Sequence, residues 1–148
     1  MQIPLQFSNE RIIAVPIIWA KKYRIAPKPQ RFIVDTGSPY TLLMQGDAAR
    51  LGVPLNSLKY SKTTRLGGTK YNLFELSNVQ LNFRDEKESL FVMHLEKIYI
   101  AQTTRVTDDA KREADSLPSI LGIDLMTSQK LTLVFSPHKN EAYFQKEV

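Results

Sequence analysis

Cysteine is absent from this chain of 148 residues, which excludes a disulfide framework, a thiolate zinc site and a cysteine nucleophile. Only two histidines occur, His94 and His138. Neither has a partner at metal-ligand spacing, so no metal site is expected and each reads as a surface or core histidine. No serine lies in a Gly-X-Ser-X-Gly elbow. The run Gly67-Gly68-Thr69-Lys70 lacks the four-residue spacer of a phosphate-binding loop. Long apolar segments are missing too. Ile12 to Ala20 is interrupted by Pro16 and preceded by Glu10 and Arg11, far short of the ~20 residues a membrane helix needs. It also lacks the basic, apolar, small-residue order of a signal peptide. No membrane partner is expected, and a cytoplasmic location is the default.

What is present describes a globular domain. Hydrophobic residues make up 43% and charged residues 24%, which rules out wholesale disorder. A chain of this length buries about 70% of its unfolded surface, enough for one core, so residues 1–148 read as a single domain. The net charge is +5, which raises the question of a nucleic-acid or acidic partner. The basic residues are scattered among acidic ones apart from Lys21, Lys22, Arg24, Lys28 and Arg31. No arginine-rich run or glycine-flanked aromatic motif accompanies them, so they read as a solvated basic face and no nucleic-acid partner is expected.

β-branched and aromatic runs dominate the chain. Strands are predicted over Ile3–Phe7, Ile12–Ala20, Arg31–Val34, Tyr40–Leu43, Leu58–Arg65, Tyr71–Leu76, Val79–Phe83, Ser89–Ile100, Ile120–Leu121, Leu131–Phe135 and Ala142–Gln145. The breaks carry Gly, Pro, Asn, Asp and Ser, and Pro16 belongs at a strand edge or a bulge. Helical signals are short: Asp47–Leu51 ending at Gly52, Thr107–Asp115 opening on a cluster suited to a helix N-terminus, and a third piece from Asp124 to Gln129. Such spacing predicts an all-β barrel or sandwich.

The sharpest motif is Phe32-Ile33-Val34-Asp35-Thr36-Gly37-Ser38. An apolar strand runs into a carboxylate, and a glycine two residues later permits a tight turn. Asp35 is therefore expected at the end of a buried strand, where desolvation perturbs a carboxylate. Thr36 and Ser38 add hydroxyls able to donate to carboxylates or backbone. Three residues also occur by chance, and a plain turn after a strand explains them equally well. Some eighty residues later, Ser119-Ile120-Leu121-Gly122-Ile123-Asp124 forms a second apolar strand that ends in glycine and enters a short helix. Between the two, Arg65-Leu66-Gly67-Gly68-Thr69 reads as a hairpin with a glycine tip.

This order of elements resembles the retropepsin-like aspartic proteases, and a non-viral member of them, over roughly Ile33 to Phe135. The resemblance implies an all-β closed barrel or acid-protease half-fold with one or two short helices. It implies that Asp35 is catalytic, supported by Thr36, Gly37 and Ser38, with the Ser38 hydroxyl bonded to the catalytic carboxylate. Leu66, Gly67, Gly68 and Thr69 correspond to the substrate-binding flap, and Ile120, Leu121 and Gly122 to the strand behind the active loop. Three features depart from the viral pattern. Pro39 stands where a carboxylate is usual, Ile123 and Asp124 follow Gly122 where an arginine is usual, and the chain is longer before Asp35 and around Gln102–Ser116. The terminal-strand dimer surface of the viral enzymes is therefore not carried over.

The chemistry needs two carboxylates sharing one proton. Of seven aspartates (Asp35, Asp47, Asp85, Asp108, Asp109, Asp115 and Asp124), only Asp35 precedes Thr-Gly. Asp124 sits at a helix start, where capping is the cheaper explanation. The second carboxylate is then Asp35 of another copy, in a two-fold homodimer. The expected activity is endopeptidase cleavage of a peptide or protein substrate without a cofactor. Two alternatives are a catalytically silent peptide- or protein-binding module on the same fold and, more weakly, a nucleic-acid-binding β-barrel.

Overall fold

The computed structural model describes residues 1–147. It contains thirteen strands: β1 Gln2–Pro4, β2 Gln6–Ser8, β3 Arg11–Ala14, β4 Ile17–Ala20, β5 Ile25–Pro29, β6 Phe32–Val34, β7 Leu42–Met44, β8 Lys59–Leu66, β9 Thr69–Arg84, β10 Leu90–Thr103, β11 Ser119–Leu121, β12 Leu131–Ser136 and β13 Glu141–Lys146. Three short helices punctuate them: α1 Gln45–Leu51, α2 Asp108–Ser116 and α3 Ile123–Ser128. The fold is the all-β half-fold that the sequence suggested, with one helix more than the one or two allowed for. No helix among the described residues is long and apolar enough to cross a membrane.

One curled sheet carries ten strands in the order β2-β3-β6-β11-β7-β10-β9-β4-β5, with β8 paired to β9. At its centre β11 runs parallel to β6, with Leu121 opposite Val34, and antiparallel to β7, with Ile120 opposite Leu42. A second, three-stranded sheet has the order β1-β13-β12. Both edges of β13 are thereby occupied by strands of its own chain.

Several strand boundaries differ from the sequence reading. The stretch Ile3–Phe7 divides at Leu5, so that β1 joins the small sheet and β2 the large one. The stretch Ile12–Ala20 divides at Pro16, which has no N–H for a ladder; the Pro16 carbonyl instead accepts from the Gln30 amide at 2.9 Å. Tyr71–Leu76 and Val79–Phe83 merge into β9, which continues through Asn78 even though that residue adopts a left-handed φ of 54°. Strand β5, Ile-Ala-Pro-Lys-Pro, has no counterpart in the sequence reading. Its two prolines are tolerated because it is the last strand of its sheet.

Alternation along the strands builds the core. In β9, Leu76, Val79 and Leu81 join Met93, Leu95, Ile98 and Ile100 of β10 in the main cluster, while Tyr71 and Leu73 join Tyr99 and Ala101 in a second, smaller one. The main cluster reaches from Ile3 to Phe144, two fully buried residues that face each other in register across β1 and β13. Phe144→Ala is expected to cost about 3–5 kcal/mol in urea unfolding. Phe135→Ala, which removes a 40%-exposed ring stacked edge-on against Phe7, is expected to cost about 1 kcal/mol. Equal losses would contradict this placement of the core.

Candidate active site

Strand β6 enters the core at Phe32, which is fully buried, and leaves it through Ile33 and Val34, which are half-buried. Beyond Val34 the ladder ends with one more bond, from the Asp35 N–H to the Leu121 carbonyl at 3.0 Å. The chain then turns: the Ser38 N–H donates to the Asp35 carbonyl at 3.2 Å. The Gly37 N–H donates to the Asp35 carboxylate oxygen Oδ1 at 2.9 Å, so one oxygen of the acid is oriented by its own turn.

The return of this loop rests on β11. Gly122 lies so close beneath it that a Cβ there would run into the carbonyl oxygens of Tyr40 and Ser38. The need for glycine here is steric, because the Gly122 backbone is extended (φ −94°, ψ −177°) and open to any residue. Two buried hydroxyls fasten the same region. Thr41, fully buried, accepts from the Gly122 N–H at 3.1 Å and donates its own proton to Asp124 Oδ1 at 2.7 Å. The Thr41 N–H donates to the other oxygen of Asp124 at 2.9 Å. Ser119, also fully buried, accepts from the Met44 N–H at 2.9 Å and donates to Asp47 in the first turn of α1 at 2.6 Å.

Asp124 therefore has a structural partner set. It lies in the first turn of α3, where its carboxylate also accepts from the Leu125 N–H at 2.8 Å. Negative charge is favourable at a helix N-terminus. Asp124 is at the helix start as expected, but the N-cap is Gly122, so Asp124 is a first-turn residue that braces Thr41 rather than a cap.

Above the turn, β8 and β9 form a hairpin whose tip is Gly67-Gly68. Both have left-handed φ, 57° and 82°, with Leu66 paired to Thr69 across them. This two-residue turn demands positive φ at both positions and so favours glycine. The tip reaches the acid: Asp35, Gly37 and Ser38 share a cavity of about 240 Å³ with Thr64, Leu66, Gly67 and Ile120. Among the described residues, Asp35 is the only carboxylate lining it. A second hollow of about 360 Å³ adjoins it on the other side of the tip, where Leu66, Gly67 and Thr69 meet Met44, Leu117, Pro118 and Ile120. Tyr71 borders that hollow. Its phenol is held above its ordinary pKa, first by burial and then by the negative charge of Glu113, against an opposing effect of Arg105.

The expected site residues thus fall into three groups. Asp35, Gly37, Ser38, Leu66, Gly67 and Ile120 line one cavity, with Thr69 in the adjoining hollow. Leu121 and Gly122 are buried behind it, bonded to Asp35 and Thr41. Thr36 is at the exposed crown of the turn, and Gly68 is the second residue of the tip, its carbonyl accepting from Arg65 at 3.2 Å. Two expectations need correction. Asp35 is exposed in the single chain, because it stands where the β6 ladder ends and the chain turns. The Ser38 hydroxyl proton is donated to the Tyr40 carbonyl at 2.8 Å, so it is not available to the Asp35 carboxylate in this arrangement. Sequence reasoning also passed over Tyr40 and Thr64 as cavity residues and over the Thr41–Asp124 brace. Alternation in β8, where Lys62, Thr64 and Leu66 are half-buried between exposed Thr63 and Arg65, is the signal that would have found Thr64.

The curled sheet thus presents one Asp-Thr-Gly turn, backed by an Ile-Leu-Gly strand and reached by a glycine-tipped hairpin. Residues 22–125 match the profile of the family described as aspartyl protease, and the chain belongs to that family. Among solved structures, it is similar to a retropepsin-like aspartic protease from Rickettsia conorii. The TM-score is 0.54 at 18% identity, covering 97% of this chain and 88% of that one. It is also similar to the EIAV protease complexed with the inhibitor HBY-793, with a TM-score of 0.46 at 16% identity, covering 86% of this chain and 95% of that one. None of the curated proteins matches the sequence. The fold is retropepsin-like.

The close passage at Gly122 yields a test of the site's scaffold. Gly122→Ala is expected to cost about 3 kcal/mol in urea unfolding, since the added methyl meets backbone rather than a side chain that can swing away. Gly52→Ala, left-handed at φ 76° but with nothing within 4 Å of the new methyl, is expected to cost about 1 kcal/mol. The reverse order would contradict the account.

Proposed function

We propose that this protein is an aspartic endopeptidase that works as a two-fold homodimer, with Asp35 of each copy supplying one carboxylate of a shared pair. The observation that carries the reading is that a single, exposed Asp-Thr-Gly carboxylate lines a cavity reached by a hairpin tip, with no second acid of its own chain beside it. Asp124 cannot fill that role, because both its oxygens accept hydrogen bonds from Thr41 and Leu125. A symmetry axis through the Asp35 turns brings two identical acids together and covers what one chain leaves open.

The chemistry follows from like charges at close range. Two adjacent carboxylates do not both ionise, so the pair holds one proton, and its titrations belong to the pair. The ionised oxygen takes a proton from a water molecule as that water attacks the scissile carbonyl carbon. The protonated oxygen donates to the carbonyl oxygen, giving a tetrahedral diol. Return of a proton to the amide nitrogen then breaks the C–N bond. The N–H of Gly37, already donating to Asp35 Oδ1, fixes which oxygen faces the reaction.

Substrate lies extended between the Asp35 turn and the β8–β9 hairpin, adding main-chain hydrogen bonds as a strand does. The hairpin acts as a flap that excludes water when it closes. The hollow at Leu66, Leu117, Pro118 and Ile120 accepts an apolar side chain beside the cut. Because β13 is hydrogen-bonded to β1 and β12 of its own chain, a partner copy cannot insert a strand beside it. The two copies meet around the Asp35 turns and flap tips instead.

On an unbiased peptide library, the wild-type protein is expected to cleave and Asp35→Asn to lose all cleavage, with unchanged circular dichroism. Activity per chain is expected to fall on dilution as the dimer dissociates. Cleavage retained by Asp35→Asn, or activity per chain unaffected by dilution of a protein that sediments as a monomer, would overturn the proposal. A folded wild type that cleaves nothing leaves the binding module as the reading.

A further inference from the structure

Among the half-buried residues of the flap strand β8, one is charged: Lys62. Along β8 the half-buried residues Lys62, Thr64 and Leu66 alternate with exposed Thr63 and Arg65, and Thr64 and Leu66 line the Asp35 cavity together with Tyr40. Lys62 continues that row away from the tip. Its ammonium donates to the Tyr40 hydroxyl, and it lies 3.8 Å from the centre of the Tyr40 ring and 5.2 Å from that of Tyr99. The two rings are themselves packed edge to face at 5.2 Å. Tyr40 is the partition between the Asp35 cavity and an outer hollow of about 500 Å³ that Pro39 and Tyr99 also line.

No carboxylate neutralises this ammonium. Among the described residues the ion pairs are Arg50–Asp47, Lys97–Glu75 and Arg112–Asp109. Of the acids around Tyr40 and Tyr99, Glu75 holds Lys97 at 3.3 Å, Asp124 holds Thr41 and the start of α3, and Glu96 lines the outer hollow but forms no ion pair with Lys62. The neighbouring guanidinium of Arg65 is turned to the Gly68 carbonyl. A lysine ammonium has three protons to donate. Aromatic faces and one phenol oxygen stabilise the cation without cancelling its charge. A half-buried cation held on Tyr40, the residue that lines the Asp35 cavity, and without an ion pair among the described residues, favours a carboxylate brought in by the ligand.

We propose that Lys62 is a specificity-determining residue that reads a carboxylate on the peptide, so that this protein selects substrates with Glu or Asp at the position lying against Tyr40, away from the scissile bond. The inference rests on the endopeptidase reading for its catalytic form, but its recognition step does not need cleavage. A merely structural clamp, in which Lys62 holds the flap strand down on Tyr40, would affect all peptides alike. A reading of charge changes one ratio.

The test therefore compares ratios. For paired peptides that differ only by Glu or Gln at each position in turn, wild-type kcat/KM is expected to favour Glu about tenfold at one position, the effect of one charge-assisted hydrogen bond. Lys62→Met is expected to bring that ratio close to one, Lys62→Arg to keep it, and Lys62→Glu to invert it in favour of Lys peptides. In parallel, immobilised Asp35→Asn protein, with and without Lys62→Met, is used to select from a random peptide pool that is then sequenced. Enrichment of Glu and Asp that disappears with Lys62→Met supports the inference even if wild type cleaves nothing, in which case only the endopeptidase reading fails. No acidic preference in either format, or one that survives Lys62→Met, overturns it.

Discussion

The site depends on how closely Gly122 passes beneath the loop that follows Asp35. A backbone without a side chain at that point lets two carbonyls, those of Ser38 and Tyr40, lie directly against β11. The loop is then fixed by bonds that only this approach permits: the Ile123 N–H to the Ser38 carbonyl at 2.8 Å, and the Gly122 N–H to Thr41. The return of the acid loop and the start of α3 are held together at this contact. A larger residue would push the loop outward and move Asp35 with it, which is why a residue more than eighty positions away in the chain belongs to the same unit as the acid.

The aspartates near this unit differ in role because their surroundings differ. Asp47 and Asp124 stand in the first turns of α1 and α3 and each accepts from a buried hydroxyl, Ser119 and Thr41 respectively. Their oxygens are occupied by donors of their own chain, which suits bracing. Asp35 has a single backbone donor to one oxygen and is otherwise open. Only an acid left in that condition can be tuned by a second copy of itself. On the other side of Tyr40 from the acid, the ammonium of Lys62 lies over the rings of Tyr40 and Tyr99.

Much of this was legible in the sequence, and the misses have physical reasons. The Asp-Thr-Gly turn, the glycine-tipped hairpin and the Ile-Leu-Gly strand each carry a local signal, because a tight turn or a close approach restricts which residues fit. Their order gave the half-fold. Strand β5 was invisible because prolines argue against a strand unless it is known to be an edge, and edge position is a property of the whole sheet. The division at Leu5 was equally hidden, since one apolar alternation served two sheets. Thr41, Tyr40 and Lys62 fall on ordinary strand or loop patterns, and their roles come from partners 22 to 83 residues away. The exposure of Asp35 ran against expectation, because a strand end was read as buried without asking what would lie over the turn.

The most direct test of the claim that two chains share one site is a subunit-mixing titration. Wild-type and Asp35→Asn chains are combined at a constant total concentration, allowed to exchange, and assayed for peptide cleavage. If each dimer needs both acids, mixed dimers are inactive and the rate falls as the square of the wild-type fraction. A rate that falls in simple proportion to that fraction would mean that each chain carries a complete site, contradicting the account.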